Sequence, residues 1–296
     1  MPGPGTRGLT PRVLITGASG GIGRAAAREL VARGWGVFGG VRREEDARSL
    51  RAELGAGFTP LALDVSDPRS VGEAAEAVEA ALGGANLDAL VNCAGIARLG
   101  PVACLSVEAL REQFEVNLFG LFEVTRRFLP LLGAVPGPDA GPPGRIVNLS
   151  SGSGRLAMPF FGFYAASKHA LEGLSDSLRR ELQLYGVRVI LIEPSIVRTP
   201  MVEKAVAQAE AFRGTDWWPS VQAALQAAGL DRAGGALPVQ RVVRVLLRAL
   251  YSLHPRARYA VPRRRLLGWW LPLALPDRVL DRLVGRALGL TPRKGE

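Results

Sequence analysis

A chain of 296 residues, 48% hydrophobic and 22% charged, can bury one substantial core or two small ones, which excludes disorder and coiled coil. Its net charge of +10 comes from 37 basic and 27 acidic residues; the three lysines, Lys168, Lys204 and Lys294, leave 34 arginines. Residues 255–296 hold nine arginines and one lysine against Asp277, Asp281 and Glu296, or +7 of the +10, so no basic face for nucleic acid spreads over the rest.

Residues 1–11 are Gly/Pro-rich and lack the apolar core of a signal peptide, so they read as a flexible N-terminus. Strand-like apolar runs follow at 13–16, 36–41, 58–63, 87–91, 145–149 and 187–192, most of them β-branched or leucine-rich, as strands buried on both faces should be. Helical patterns start between and after them near Gly21, Glu44, Pro68, Ser106, Gly162 and Thr199. The alternation predicts an α/β fold, a doubly wound parallel (Rossmann) sheet of about seven strands in a single domain, with right-handed crossovers and ligands at the carboxyl ends of the strands. Residues 133–144 are too rich in proline and glycine to continue a helix and read as a solvated connection. Beyond Thr199 an alanine-rich stretch with Trp217 and Trp218 leads to a helix at 238–253 and a last strand at 258–261. The predicted organisation is a dinucleotide-binding domain over 12–262, with residues 200–237 as a movable wall over the substrate and 263–296 as a basic amphipathic extension.

Cys93 and Cys104 are too few for a disulfide framework, and no Cys/His cluster has metal-ligand spacing, so no metal is expected and a reducing, cytoplasmic setting is the simpler reading. The apolar run 266–275 contains a proline and is about half of what a bilayer span needs.

The first strand runs into Thr16-Gly17-Ala18-Ser19-Gly20-Gly21-Ile22-Gly23, then into a helical pattern. Glycines at 17, 21 and 23 permit a tight turn, close approach to a pyrophosphate and packing of the new helix, whose N–H groups face the anion. The spacing Gly-x-x-x-Gly-x-Gly resembles the short-chain dehydrogenase/reductase family. So do Asp64-Val65 after the third strand, Asn92-Cys93-Ala94-Gly95 after the fourth, Asn117 in the following helix, and Ser151 thirteen residues before Tyr164-Ala165-Ala166-Ser167-Lys168. The resemblance spans residues 12–200 with its motifs in order and is closest to the compact branch that oxidises alcohols or reduces carbonyls.

Tyr164 and Lys168 lie four apart, on one face of a helix. A phenol of pKa near ~10 is a poor base, but an ammonium about 4 Å away contributes roughly 4 kcal/mol at an effective dielectric of 20, which would bring Tyr164 near neutrality. Ser151, just past the fifth strand, would polarise a carbonyl or hold the alkoxide. The resemblance implies that serine, tyrosine and lysine act together, with Asn117 completing a proton relay through water. The plain alternatives are a cap formed by Ser150, Ser151 and Ser153, and a locally satisfied helix-bend asparagine. His169 reads as a solvated helix residue.

The second strand ends in Val41-Arg42-Arg43, where an NAD enzyme would place an acid, so NADP(H) is expected over NAD(H) with Arg42 as the main phosphate contact. Glu44, Glu45 and Asp46 weigh against this as neutralising first-turn acids. The resemblance further implies that Ser19 and Ile22 belong to the phosphate turn and that Asp64 and Val65 border the adenine. It puts Asn92, Ala94 and Gly95 at the cofactor ribose and Lys168 at the nicotinamide ribose, with Tyr164 beside it. Pro194, Val197 and Thr199 would hold the nicotinamide. Ser195 and Cys93 depart from the family's glycine and asparagine.

Met158, Phe160, Phe161, Phe163, Met201, Val202, Phe212, Trp217 and Trp218 suggest a small hydrophobic alcohol or carbonyl substrate, with core packing as the alternative. The length and arginine-rich end resemble the retinol and hydroxysteroid dehydrogenases. The tail either lies on an anionic membrane surface or packs on its own domain or a partner; the resemblance implies a homodimer or homotetramer. The rival from another class is a non-catalytic dinucleotide-binding regulatory or interaction protein, against which the complete set Asn117, Ser151, Tyr164 and Lys168 speaks.

Overall fold

A computed structural model describes residues 10–137, 141–230, 235–263 and 270–292. Seven parallel strands form one sheet in the order β3-β2-β1-β4-β5-β6-β7: β1 Arg12–Ile15, β2 Gly36–Val41, β3 Phe58–Ala62, β4 Ala89–Asn92, β5 Arg145–Leu149, β6 Arg188–Pro194 and β7 Arg258–Val261. The helices are α1 Gly21–Val31, α2 Glu44–Leu54, α3 Pro68–Leu82, α4 Val107–Phe114, α5 Leu121–Phe128, α6 Gly162–Glu181, α7 Pro200–Ala209, α8 Trp218–Ala227, α9 Val239–Tyr251, α10 Leu271–Ala274 and α11 Asp277–Ala287. The predicted α/β, doubly wound parallel sheet is thus the observed one.

Strand side chains alternate between two buried faces, which is why these strands read as continuous apolar runs. Val13, Ile15, Val91, Val147 and Ile190 pack with α1, α2 and α9, whereas Leu14, Leu90, Ile146 and Val189 pack with α3 and α5. Helix starts follow local chemistry: the Asp67 carboxylate accepts the Arg69 N–H at 3.0 Å ahead of Pro68, and the Ser106 hydroxyl accepts the Ala109 N–H at 3.2 Å. Strand order reverses between β1 and β4, where the carboxyl ends open a crevice.

One departure lies in the helix read as starting near Ser106. It is broken by a π-helical turn over Glu115–Gly120, which carries Asn117 and joins α4 to α5.

Met201, Val202 and Ala205 of α7 line the crevice, and α8 packs with the tail. Phe160, Ala209, Val221, Ala224 and Leu288 form a satellite core, with Trp218, Val284 and Leu290 against it. Thus α11 packs on its own domain with one face, while Val279 and Leu283 stay exposed on it. The first four residues of the apolar run at 266–275, including Trp269, and residues 1–9 of the predicted flexible N-terminus lie outside the described residues. Among those described, no helix is long and apolar enough to cross a membrane.

Candidate active site

After β5 the chain turns through Ser150 and Ser151 into a single 3-10 turn at Gly152–Gly154. The Ser151 hydroxyl accepts the Ser153 N–H at 3.1 Å, as a cap would, and is also hydrogen-bonded to the Tyr164 hydroxyl. Lys168 stands one helical turn from Tyr164 on α6, with its Nζ 5.8 Å from the phenol ring centroid. That ammonium is buried and donates to the Leu149 carbonyl at 2.7 Å, which ties α6 to the end of β5.

Burial pulls the Lys168 pKa down to about 8, against the opposing pull of Cys93 and Glu172. Burial also raises the Tyr164 pKa above the usual phenol value, with the Ser151 hydrogen bond acting in the opposite direction. This corrects the expectation of a near-neutral tyrosine. The ammonium is directed at a carbonyl, and removal from water disfavours the phenolate more than its neighbours favour it.

Asn117 is fully buried in the π-turn and satisfied on both sides of its amide. Its oxygen accepts the Ile96 N–H at 2.9 Å, and its nitrogen donates to the Ile96 carbonyl at 3.0 Å and to the Ser167 hydroxyl at 3.1 Å. It therefore clamps the loop after β4 onto α6; its hydrogen bonds go to Ile96 and Ser167, not to Lys168. The π-turn also brings Gly120 so close to the Val65 carbonyl that a Cβ there would collide with it, which fixes the segment Asp64-Val65 over the sheet edge.

The glycine turn is held from beneath. The Thr16 hydroxyl accepts the N–H groups of Cys93 and Ala94 at 3.0 and 3.1 Å and so joins the ends of β1 and β4. Gly17 has φ +66°, and a Cβ on it would lie 2.9 Å from Ala94 Cα. A Cβ on Gly21 would lie 2.6 Å from Thr199 Cγ2, and one on Gly23 would strike the Gly17 backbone. Ser19 bonds the Asp46 carboxylate, which also takes the Arg43 guanidinium at 2.9 Å. Arg42, by contrast, is exposed and without an ion pair among the described residues. Burial acts to raise the Asp64 carboxyl, but hydrogen bonds from Ser66 at 3.0 and 2.6 Å and the Arg42 charge outweigh it and hold it below the usual range.

Asn92 needs correction. Its amide nitrogen donates to Thr125 at 3.0 Å and to Asn148 at 2.9 Å inside the protein, and Asn148 goes on to Ser175 at 2.9 Å. The side chain assigned to the cofactor ribose is therefore a buried polar strut between β4, β5 and α5, because alternation along β4 turns it away from the crevice.

A cleft of about 110 Å³ collects Ile22, Cys93, Ala94, Gly95, Ser151, Tyr164, Lys168, Pro194, Val197 and Thr199. Phe161, Met201 and Val202 also line it. Cys93 is a half-buried thiol there, pushed up to about 12 by desolvation, and hence unreactive. Thr199 is 6% exposed and its hydroxyl has no hydrogen-bond partner. A buried hydroxyl left unpaired costs about 1–3 kcal/mol. Together with the crowded glycine turn and the free Arg42 guanidinium, this donor set fits a phosphorylated dinucleotide with an amide at its far end. Ser195, in the family's glycine position, does not have positive φ; its hydroxyl accepts the Arg263 N–H at 3.2 Å.

Ser151, Ser153, Ser195 and Ile196 are shared with a second, larger cavity of about 420 Å³, which reaches Met158, Leu273, Arg155 and Arg263. Phe163 belongs to the core, Phe160 and Trp218 to the satellite core, and Trp217 is exposed against Phe160. His169 is exposed, as expected.

The sequence reading missed a buried acid cluster behind the site. Arg258 of β7 reaches Glu172 at 3.0 Å, Glu193 at 3.4 Å and Asp176 at 2.7 Å. Burial, helped by Glu172, raises the Glu193 carboxyl to about 7. Its signal was present as a charged residue inside the apolar run of β6.

A dinucleotide turn at the switch point of a parallel sheet, faced across one cleft by serine, tyrosine and lysine, defines an NAD(P)-dependent oxidoreductase. Residues 11–210 match the family model described as short chain dehydrogenase, and the chain belongs to the short-chain dehydrogenase/reductase family. It is 37% identical over 270 residues to the "NADPH-dependent 3-dehydrocapnine reductase" of Ornithobacterium rhinotracheale, covering 91% of this chain and 94% of that one. It is 34% identical over 295 residues to retinol dehydrogenase 5 of Mus musculus, covering 92% and 87%. Among solved structures, a short-chain dehydrogenase from Burkholderia cenocepacia J2315 in complex with NADP aligns at TM-score 0.70 and 25% identity over 96% of this chain and 98% of that one. A relative from Burkholderia phymatum in complex with NAD aligns at 0.70 and 28% over 85% and 88%.

Proposed function

We propose that the protein is an NADP(H)-dependent carbonyl reductase or alcohol dehydrogenase acting on a hydrophobic substrate, with Tyr164 as the general acid/base. The observation that carries this reading is the single cleft that holds the Tyr164 hydroxyl, the Ser151 hydroxyl, buried Lys168 and the unpartnered Thr199 hydroxyl together. A nicotinamide bound there supplies or takes up the hydride. Ser151 donates a hydrogen bond to the substrate oxygen, and Tyr164 gives it a proton in reduction or removes one in oxidation. A phenol kept neutral by burial is the form that reduction requires. Lys168 holds the Leu149 carbonyl and, with it, the turn that aims Ser151; in the bound state it is also placed for the cofactor ribose.

The preference for NADP(H) rests on Arg42, free at the end of β2 while Arg43 is taken by Asp46. The Asn117 clamp keeps the Ala94-Gly95 turn in place for the cofactor and closes on α6 one residue from Lys168. Met201, Val202, Phe161 and Met158 support an apolar substrate. Phe119 and Phe122, 55% and 40% exposed around the start of α5, support pairing of two copies along α5 and α6, which light scattering in solution would read as a dimer or tetramer mass. The testing experiment is a panel of hydrophobic ketones, aldehydes and alcohols followed by nicotinamide absorbance with each cofactor. Tyr164→Phe should remove nearly all turnover and leave cofactor binding within about twofold; retained turnover refutes the assignment.

A further inference from the structure

The larger cavity is chemically lopsided. Arg155 and Arg263 line it, together with Ser151, Ser153 and Ser195, and no acidic residue does among the described residues. Elsewhere in this arginine-rich chain some guanidinium groups are neutralised by carboxylates, as in the pairs of Arg43 with Asp46, Arg98 with Glu112 and Arg258 with Glu172. Arg155 and Arg263 have no ion pair among the described residues. Glu193 feels the charge of Arg155 through space, but no contact joins them.

Arg263 is also seated in a built position. Its backbone N–H donates to the Ser195 hydroxyl at 3.2 Å, and its Nη1 lies against Gly235 and Gly229, 2.6 and 3.0 Å from where a Cβ on each would stand. Arg155 comes four residues after Ser151, on the far side of the 3-10 turn. No residue of the glycine turn lines this cavity, so it is separate from the place where cofactor phosphates would sit. Leu156, Met158, Ile196 and Leu273 complete its wall. Two guanidinium groups with no ion pair among the described residues, in a concave and partly apolar site, recognise an oxyanion bidentately, and apolar walls beside them accommodate a chain.

We propose that this cavity binds a carboxylate or other oxyanion, so that the substrate is an anionic amphiphile whose reacting carbon sits at Ser151 and Tyr164 while its charged head is held by Arg155 and Arg263. This rests on the oxidoreductase reading above and adds a charge to the hydrophobic substrate proposed there.

Two measurements test it separately. Calorimetric titration of the NADP-loaded protein with octanoate and with octanamide reads head-group recognition without chemistry. Octanoate should bind at least tenfold more tightly than octanamide, and the double variant R155Q/R263Q should bring the two within about twofold. R155K/R263K, which keeps the charge, should retain most of the preference, and equal melting temperatures show that the variants are folded. Non-specific attraction to a protein of charge +10 would lose only a fifth of its source in the double glutamine variant, so an unchanged ratio overturns the proposal. The second measurement compares kcat/KM for decanoic acids carrying a ketone at carbons 4 to 6 with their methyl esters. An acid-to-ester ratio above ten that collapses in R155Q/R263Q supports the proposal, and a ratio of one or below in the wild type overturns it. If no ketone is turned over, the oxidoreductase reading fails, while the octanoate titration still decides whether this cavity selects anions.

Discussion

Gly21 and Thr199 meet so closely that a β-carbon on the glycine would lie 2.6 Å from the threonine methyl. The turn after β1 and the turn after β6 thus close on one another at the sheet edge. Of the Thr199 side chain, the methyl is occupied by this contact and the hydroxyl is left buried without a partner. Thr199→Val keeps the shape and deletes only the hydroxyl. The unliganded protein should be as stable as wild type or up to about 1 kcal/mol more stable, while NADPH affinity falls about tenfold. Thermal melting and fluorescence titration read the two effects; unchanged affinity would show that Thr199 holds nothing.

Arg42 is the one guanidinium at the end of β2 not taken by a carboxylate of α2. Losing charge-assisted hydrogen bonds to a phosphate costs about 1.5–3 kcal/mol. Arg42→Ala should therefore raise KM for NADPH by about tenfold or more and leave NADH within about twofold. Steady-state kinetics with both cofactors checks it, and an equal effect on both would remove Arg42 from the phosphate site.

Lys168 is held at about 8 by burial, so its ammonium discharges in mildly alkaline solution. The charged hydrogen bond to the Leu149 carbonyl then weakens, and with it the aim of Ser151. A profile of kcat/KM against pH should fall with an apparent pKa near 8, since this parameter reports ionisations of the free enzyme. A profile flat to pH 9.5 would contradict the role given to the ammonium.

Glu193 carries its proton in the folded chain to about pH 7, while its ordinary value is 4.5. Between these values the folded state binds the extra proton, so this group stabilises the fold at low pH and its contribution declines as pH rises toward 7. The lost contribution is about 3 kcal/mol at most, at about 1.4 kcal/mol per pH unit. Denaturant unfolding of wild type and Glu193→Gln at pH 5 and pH 8 should show the variant gaining on wild type at the higher pH. Parallel behaviour would mean that Arg258 holds Glu193 ionised.

Local chemistry determined most of the scaffold. The apolar runs, Asp67-Pro68 and Ser106 at helix starts, the glycine turn and the tyrosine–lysine spacing each act within a few residues of chain, where a periodicity of 2 or 3.6 leaves a readable trace. The tertiary structure alone decided what distant segments do to one another: Thr199 against Gly21, Asn117 clamping Ile96, Asn92 turned inward, Glu193 beside Glu172, and Arg155 and Arg263 brought to one cavity. These depend on burial and on which face of a strand meets which helix. Desolvation set the state of Tyr164 and Lys168 through the whole packed surroundings, and a four-residue spacing carries no record of those.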